Sequence, residues 1–215
     1  MLKIITPTGG RPDALNNLNH YLTNQTDQGF EWIVLNDCDS DGPVPSRCDK
    51  MIFPDWKWTG ENTQAKSMLR LLQEVNENDQ VLICEDDDFY HKNYVFKMRT
   101  QLSSDDLIGI KNPIYYNVKN NTYKIFKSNH HSSLCSTGIK GKMIHALKRI
   151  CSECKTNLDS ALWRHGGTLF DSKYCVGIKG MDGRKGIGVG HSMTGNPDPK
   201  RVYLKSLLGE NEKRY

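Results

Sequence analysis

The chain contains no long apolar run, and no segment approaches the roughly 20 residues that a membrane-spanning helix needs, so a helical membrane span is excluded. Its opening residues, Leu2-Lys3-Ile4-Ile5 running straight into Thr6-Pro7-Thr8-Gly9-Gly10, lack the layout of a secretory signal. The expectation is a soluble protein of the cytoplasm, or of the host cytoplasm for a viral chain. There is no strong charge imbalance: 29 basic against 25 acidic residues leave a formal charge of +4, mild enough to tolerate a polyanionic partner without demonstrating one. There is no disulfide framework, because the seven cysteines are odd in number and scattered, as expected of reduced thiols. Cys151-x-x-Cys154 has no second pair at zinc-ribbon spacing, and one half-site does not make a four-ligand zinc centre. Repeats and low-complexity tracts are also missing. At 215 residues the chain is long enough for one ordinary domain with its own core.

The most informative segment is Val81-Leu82-Ile83-Cys84-Glu85-Asp86-Asp87-Asp88, an apolar strand ending in four consecutive carboxylates. Such a concentration of negative charge requires a cation. Carboxylate oxygens are hard ligands suited to Mg2+ or Mn2+, and a metal held by one or two of them retains positions for phosphate oxygens. On an extended chain Asp86 and Asp88 point to one side and Glu85 and Asp87 to the other, so Asp86 and Asp88 are the candidate metal pair. The competing reading is an acidic loop or the start of a helix.

Alternation of element types organises the first half. Leu2 to Pro7 reads as a strand, Asp13 to Thr23 as a helix with Leu15, Leu18 and Leu22 in register, and Glu31 to Asn36 as a buried strand. Asp49 to Phe53 offers a further strand, and Glu61 to Val75 a helix with Ala65, Met68, Leu69 and Leu72 on one face. Strands alternating with helices imply an α/β fold with a mixed, mainly parallel sheet flanked by helices, in which ligands collect at the carboxyl ends of the strands. In the second half, strands are expected at Leu107 to Ile110, Tyr115 to Val118 and Tyr123 to Phe126, with Asn120-Asn121 as a hairpin turn. Helices follow at Met143 to Cys154 and Asn157 to His165. Residues 177–195 carry seven glycines with Lys179, Arg184, Lys185 and His191, a composition that predicts a mobile loop.

The order of these landmarks resembles the nucleotide-sugar glycosyltransferases of the GT-A fold, in particular the family-two-like group. Thr6-Pro7-Thr8-Gly9-Gly10-Arg11 looks like that group's opening nucleotide loop, and Asp37 at the end of the second strand looks like its base contact. Gly60 to Lys66 resembles the helix start that helps to hold the nucleotide, and Asp86-Asp87-Asp88 stands where the group keeps its Asp-x-Asp metal motif. Leu134 to Ile139 looks like the acceptor-side strand and turn, and Asn157 to Arg164 is similar to the helix bearing the catalytic base.

The resemblance implies a single domain over 1–215, with a nucleotide-binding half in 1–110 and an acceptor-side half in 111–215. It implies Mn2+ or Mg2+ on Asp86, Asp88 and a late histidine, His191. It implies a nucleotide site drawing on Thr6, Pro7, Thr8, Arg11, Asp37, Asn62, Lys66, Asp86, Asp87, Arg184 and Lys185, and Asp159 as the base of an inverting transfer. The family usually has two adjacent acids at the base, whereas here Leu158 precedes Asp159. UDP is the favoured donor nucleotide, and a glycan, a protein hydroxyl or a hydroxylated base in DNA is the acceptor, compact phage transferases being of similar size. Two other readings stay open. Asp37 or Asp39 joined to the acidic run would suit a two-metal nucleotidyltransferase, and Lys140, Lys142, Lys148 and Arg149 would suit a non-catalytic nucleotide- or DNA-binding module.

Overall fold

The computed structural model describes residues 1–38, 44–184 and 194–215. The first half runs β1 (Leu2–Thr8), α1 (Pro12–Thr23), β2 (Phe30–Asn36), β3 (Lys50–Ile52), α2 (Gln64–Leu71), β4 (Gln80–Ile83), β5 (Phe89–Tyr90), α3 (Tyr94–Leu102) and β6 (Leu107–Lys111). It continues with β7 (Ile114–Asn117), β8 (Thr122–Ile125), β9 (Thr137–Lys140), α4 (Lys142–Glu153), α5 (Leu158–Trp163), β10 (Thr168–Asp171), β11 (Cys175–Lys179), β12 (Asn196–Pro197) and α6 (Val202–Leu208).

Seven strands form the main sheet in the order β10-β6-β9-β4-β1-β2-β3. All neighbours are parallel except at β9, which runs antiparallel to both β4 and β6. Strand alternation divides the core between the two faces. Ile4, Trp32, Val34 and Leu82 pack with Leu18 and Leu22 of α1 and Met98 of α3. Ile5, Ile33, Leu35, Val81 and Ile83 pack with Met68 and Leu71 of α2, Leu147 of α4 and Leu162 of α5. Runs that are apolar at every position, as in β1, β2 and β4, belong to strands covered on both sides.

A second sheet, in the order β12-β8-β7-β11-β5, leans on the first. Its member β5 follows the acidic run directly, so the carboxylates sit in the turn between the two sheets. The predicted loop over 177–195 therefore begins as ordered strand. Residues through Lys179 belong to β11, which pairs in parallel with β7 and antiparallel with β5. Gly177 is required there by a close approach, since a Cβ would stand 2.5 Å from the Tyr115 ring. Among the described residues no helix is long and apolar enough to cross a membrane.

The core makes a direct prediction. Leu82→Ala, at a side chain without solvent exposure, should lower unfolding free energy by about 2–5 kcal/mol in urea. Val202→Ala, 67% exposed, should change it by less than about 0.5 kcal/mol.

Candidate active site

The carboxyl ends of β1, β2 and β4 lie side by side, with Thr8 opposite Asn36 and Ile5 opposite Ile83. Beyond them opens a cavity of about 540 Å³ whose wall includes Thr8, Arg11, Glu85, Asp87, Asp159, Lys179 and Arg184. Pro12 occupies the start of α1 and accepts its fixed φ there, so Arg11 is the last residue before the helix and projects beneath the acidic turn.

Each of the three aspartates has a different set of partners. Asp86 has no solvent exposure; its Oδ1 pairs with Arg11 Nη2, and its Oδ2 accepts from Thr8 Oγ1 at 2.5 Å. Asp87 Oδ2 lies 3.0 Å from Arg11 Nη1 and 3.5 Å from Lys179 Nζ. Asp88 Oδ1 accepts from the Ile178 backbone N–H at 2.8 Å and from Lys179 Nζ at 3.1 Å. Asp88 Oδ2 is buried and has no N–H or O–H donor among the described residues. Glu85 Oε1 accepts from Gln64 Nε2 at 3.0 Å.

Burial governs the protonation of this cluster. Desolvation, with Asp88 as a second cause, pushes Glu85 up to about 8. Desolvation, opposed by Lys179, pushes Asp88 up to about 6. Asp86 is also raised by desolvation, which Arg11 opposes. Burial disfavours charge on Arg11 and Lys179, but the surrounding carboxylates outweigh it and hold both cations protonated.

The period-two alternation expected of the acidic run is present, but the cavity lies on the opposite side from the one assigned to it. Glu85 and Asp87 face the cavity, whereas Asp86 is drawn into the protein by Arg11 and Thr8, both of its oxygens engaged. Asp86, expected as a metal ligand, thus has both oxygens engaged within the protein. The carboxylates that do converge are Glu85 and Asp88, joined by the Cys135 thiol, with one ligand atom from each lying within 4.8 Å of the others. A carboxylate oxygen from each of Glu85 and Asp88 suits a divalent ion; the thiol, which Cys175 and burial keep protonated, adds little for Mg2+ or Mn2+. All seven cysteines are free.

Asp37 does not line the cavity itself but is bonded to two residues that do, Thr63 and Arg184. It is 1% exposed, receives Arg184 Nη1 at 2.7 Å and is also bonded by Thr63 Oγ1. Arg184 also donates to Thr63 at 2.7 Å and stacks on the Trp58 ring at 4.6 Å. The closeness of the β1 loop to this pair explains Gly9, where a Cβ would stand 2.1 Å from Asp37 Oδ1. Pro7, Thr8, Arg11, Asn62 and Asp87, named from the sequence as candidate nucleotide contacts, line the cavity. Thr6 does not, because its hydroxyl accepts from the buried Trp32 Nε1 at 3.0 Å. Lys66 does not either; it is exposed and lies over the Trp56 ring at 4.0 Å. Lys185 and His191, like Asp39, fall outside the described residues.

Asp159 lines the cavity from the start of α5, with its Oδ1 accepting the Ser160 N–H at 2.8 Å. Asn157 sets the entry of that helix with φ of 57°, a left-handed conformation that asparagine tolerates. Sequence reading missed Glu85, Gln64, Tyr115, Phe126 and Lys179 as cavity residues. Only Glu85 had a local signal, its place on the opposite side of the same acidic run. The basic residues Lys140, Lys142, Lys148 and Arg149 lie outside the cavity wall.

Sheet order, the acidic turn after β4 and the facing helix α5 together define the GT-A glycosyltransferase fold. The solved structures most like the chain include S. aureus TarS, at a TM-score of 0.60 and 15% identity over 82% of this chain and 36% of that one. TarS residues 1–349 with UDP-GlcNAc match at a TM-score of 0.57 and 15% identity, over 99% of this chain and 72% of that one. The mannosyltransferase PcManGT from Pyrobaculum calidifontis, with GDP-Man and Mn2+, matches at 0.53 and 12% identity over 80% of this chain and 54% of that one. The chain thus spans about a third of full TarS and 60% of its 1–349 fragment bound to UDP. These identities establish the fold and leave the reaction to the site itself. No protein-family model and no curated protein sequence matches the chain.

The Arg11 contacts generate a stability prediction. Arg11→Met leaves Asp86 buried beside uncompensated charge, and should cost about 3–5 kcal/mol in urea unfolding. Adding Asp86→Asn should recover part of that loss, giving a non-additive double-mutant cycle.

Proposed function

We infer that the protein is a glycosyltransferase that moves a sugar from a nucleoside-diphosphate sugar to an acceptor hydroxyl. The observation that carries this reading is one cavity at the strand ends of a GT-A fold, with cationic residues and the acidic turn on one wall and the Asp159 carboxylate on another. The structural neighbours crystallised with UDP, UDP-GlcNAc and GDP-Man support it as examples of what this fold can hold.

In this reading the nucleoside lies against the β1 loop, near the Arg184 that pairs with Asp37, and UDP is the favoured donor nucleotide. Arg11 and Arg184 stand in the cavity wall, where guanidinium N–H groups can donate to diphosphate oxygens. Glu85 and Asp88 are the carboxylates that would hold a divalent ion, Mn2+ or Mg2+, whose chemistry when bound is to neutralise charge on diphosphate oxygens. Asp159 takes the proton from the acceptor hydroxyl as its oxygen attacks the anomeric carbon. Attack from the side opposite the departing diphosphate inverts that carbon. The acceptor is a hydroxyl on a glycan, a protein or a modified DNA base. It enters past Tyr115 and Phe126, whose rings meet edge to face at 5.2 Å on the same wall.

Incubation with UDP-, GDP-, CDP-, ADP- and TDP-sugars in the presence of Mn2+ or Mg2+ tests the reading, with release of nucleoside diphosphate as the readout. One donor should turn over. Asp159→Asn should lower that turnover by about 10²–10⁴-fold while leaving nucleoside diphosphate binding unchanged. Pyrophosphate release from nucleoside triphosphates instead would identify a nucleotidyltransferase.

A further inference from the structure

Resting on the nucleotide-sugar reading above, one residue of the cavity wall has no assigned part. Lys179 closes β11, 5% exposed, and its backbone is fixed by the parallel register with Asn117 of β7 and by the Val118 N–H, which donates to the Lys179 carbonyl at 2.8 Å. Its ammonium is 3.1 Å from Asp88 Oδ1 and 3.5 Å from Asp87 Oδ2, with the Tyr115 ring centroid 5.7 Å away. An ammonium has three N–H donors. Among the described residues two carboxylate oxygens take two of them, and the side chain borders the open cavity.

Three other cations, Arg11, Arg184 and the exposed Lys127, line the same cavity, and Arg11 Nε is buried without a partner among the described residues. Arg11 spends Nη1 on Asp87 and Nη2 on Asp86, and Arg184 spends Nη1 on Asp37 and Nη2 on Thr63. Lys179 thus combines a spare donor, a wall position and burial. A low-dielectric setting strengthens each charged hydrogen bond it makes. Asp88 is held independently by the Ile178 N–H and Asp87 by Arg11, so both carboxylates keep a partner while the ammonium engages a ligand.

We propose that Lys179 is the resident cation of the donor site: its ammonium binds the diphosphate directly, so that nucleoside diphosphates bind without a divalent ion. A divalent ion on Glu85 and Asp88 then adds to the positive charge that Lys179 already presents.

Isothermal titration with UDP, and separately with GDP, tests this in EDTA and in Mn2+ on the wild type, Lys179→Met and Lys179→Arg. The wild type should bind one of the two nucleotides in EDTA within about tenfold of its affinity in Mn2+. A charged hydrogen bond is worth about 1.5–3 kcal/mol, so Lys179→Met should bind roughly 10- to 100-fold more weakly in EDTA, while Lys179→Arg retains most of the affinity. Lys179→Gln, which can still donate to Asp88, replaces the methionine variant if that fails to fold. Wild-type binding that needs Mn2+ absolutely, or a folded neutral variant that binds like wild type in EDTA, overturns the proposal. Absence of binding to UDP and GDP, and then to CDP, ADP and TDP, even with Mn2+ removes the nucleotide reading, and this inference with it.

Discussion

Four consecutive carboxylates at the end of a buried strand are tolerable only if the fold delivers positive charge to them, and the rest of the site follows from how that is done. Arg11 comes from the end of the β1 loop and Lys179 from the end of β11, and they bracket Asp87 from two sides. Isolated buried charges are costly, and paired ones are tolerated when geometry and hydrogen bonding are good. Here each aspartate has at least one charged or backbone donor within hydrogen-bonding distance. The acidic turn thereby ties together segments that are 75 and 91 positions apart in the chain.

That neutralisation also shapes the cavity. Because Asp86 is drawn inward by Arg11 and Thr8, Glu85 and Asp87 face outward, and the cavity wall presents carboxylate and ammonium together. At the other end a second buried ion pair, Arg184 with Asp37, closes the space next to the β1 loop, where only glycine fits at position 9. The result is a cavity lined by the mixed charge of Glu85, Asp87 and Lys179, by Arg184 of that ion pair, and by Asp159 on α5.

Much of this was legible in the chain, for reasons that differ by element. β1, β2 and β4 are runs of Ile, Val and Leu buried on both faces, and α1 shows its leucines at helical spacing, so local pattern sufficed. The acidic run announced a site, and the expected alternation of its side chains is present. Which side faced the cavity depended on Arg11 and Thr8, contacts that local pattern does not encode. The second sheet was largely illegible, because β5 and β12 are two residues each and β11 lies in a glycine-rich stretch that reads as loop. Lys179 looked like one more loop cation until β11 brought it to the aspartates. Thr6 and Lys66 were assigned by motif position alone, and the structure spends one on Trp32 and the other on Trp56.

The measurement that bears most directly on this account is a crystal structure of the protein with UDP. The account predicts the nucleoside in the cavity against the β1 loop, and diphosphate oxygens at about 3 Å from Lys179 Nζ, a normal charged hydrogen bond. Nucleotide bound elsewhere, or a diphosphate out of reach of Lys179 with that ammonium still held only by Asp87 and Asp88, would contradict it.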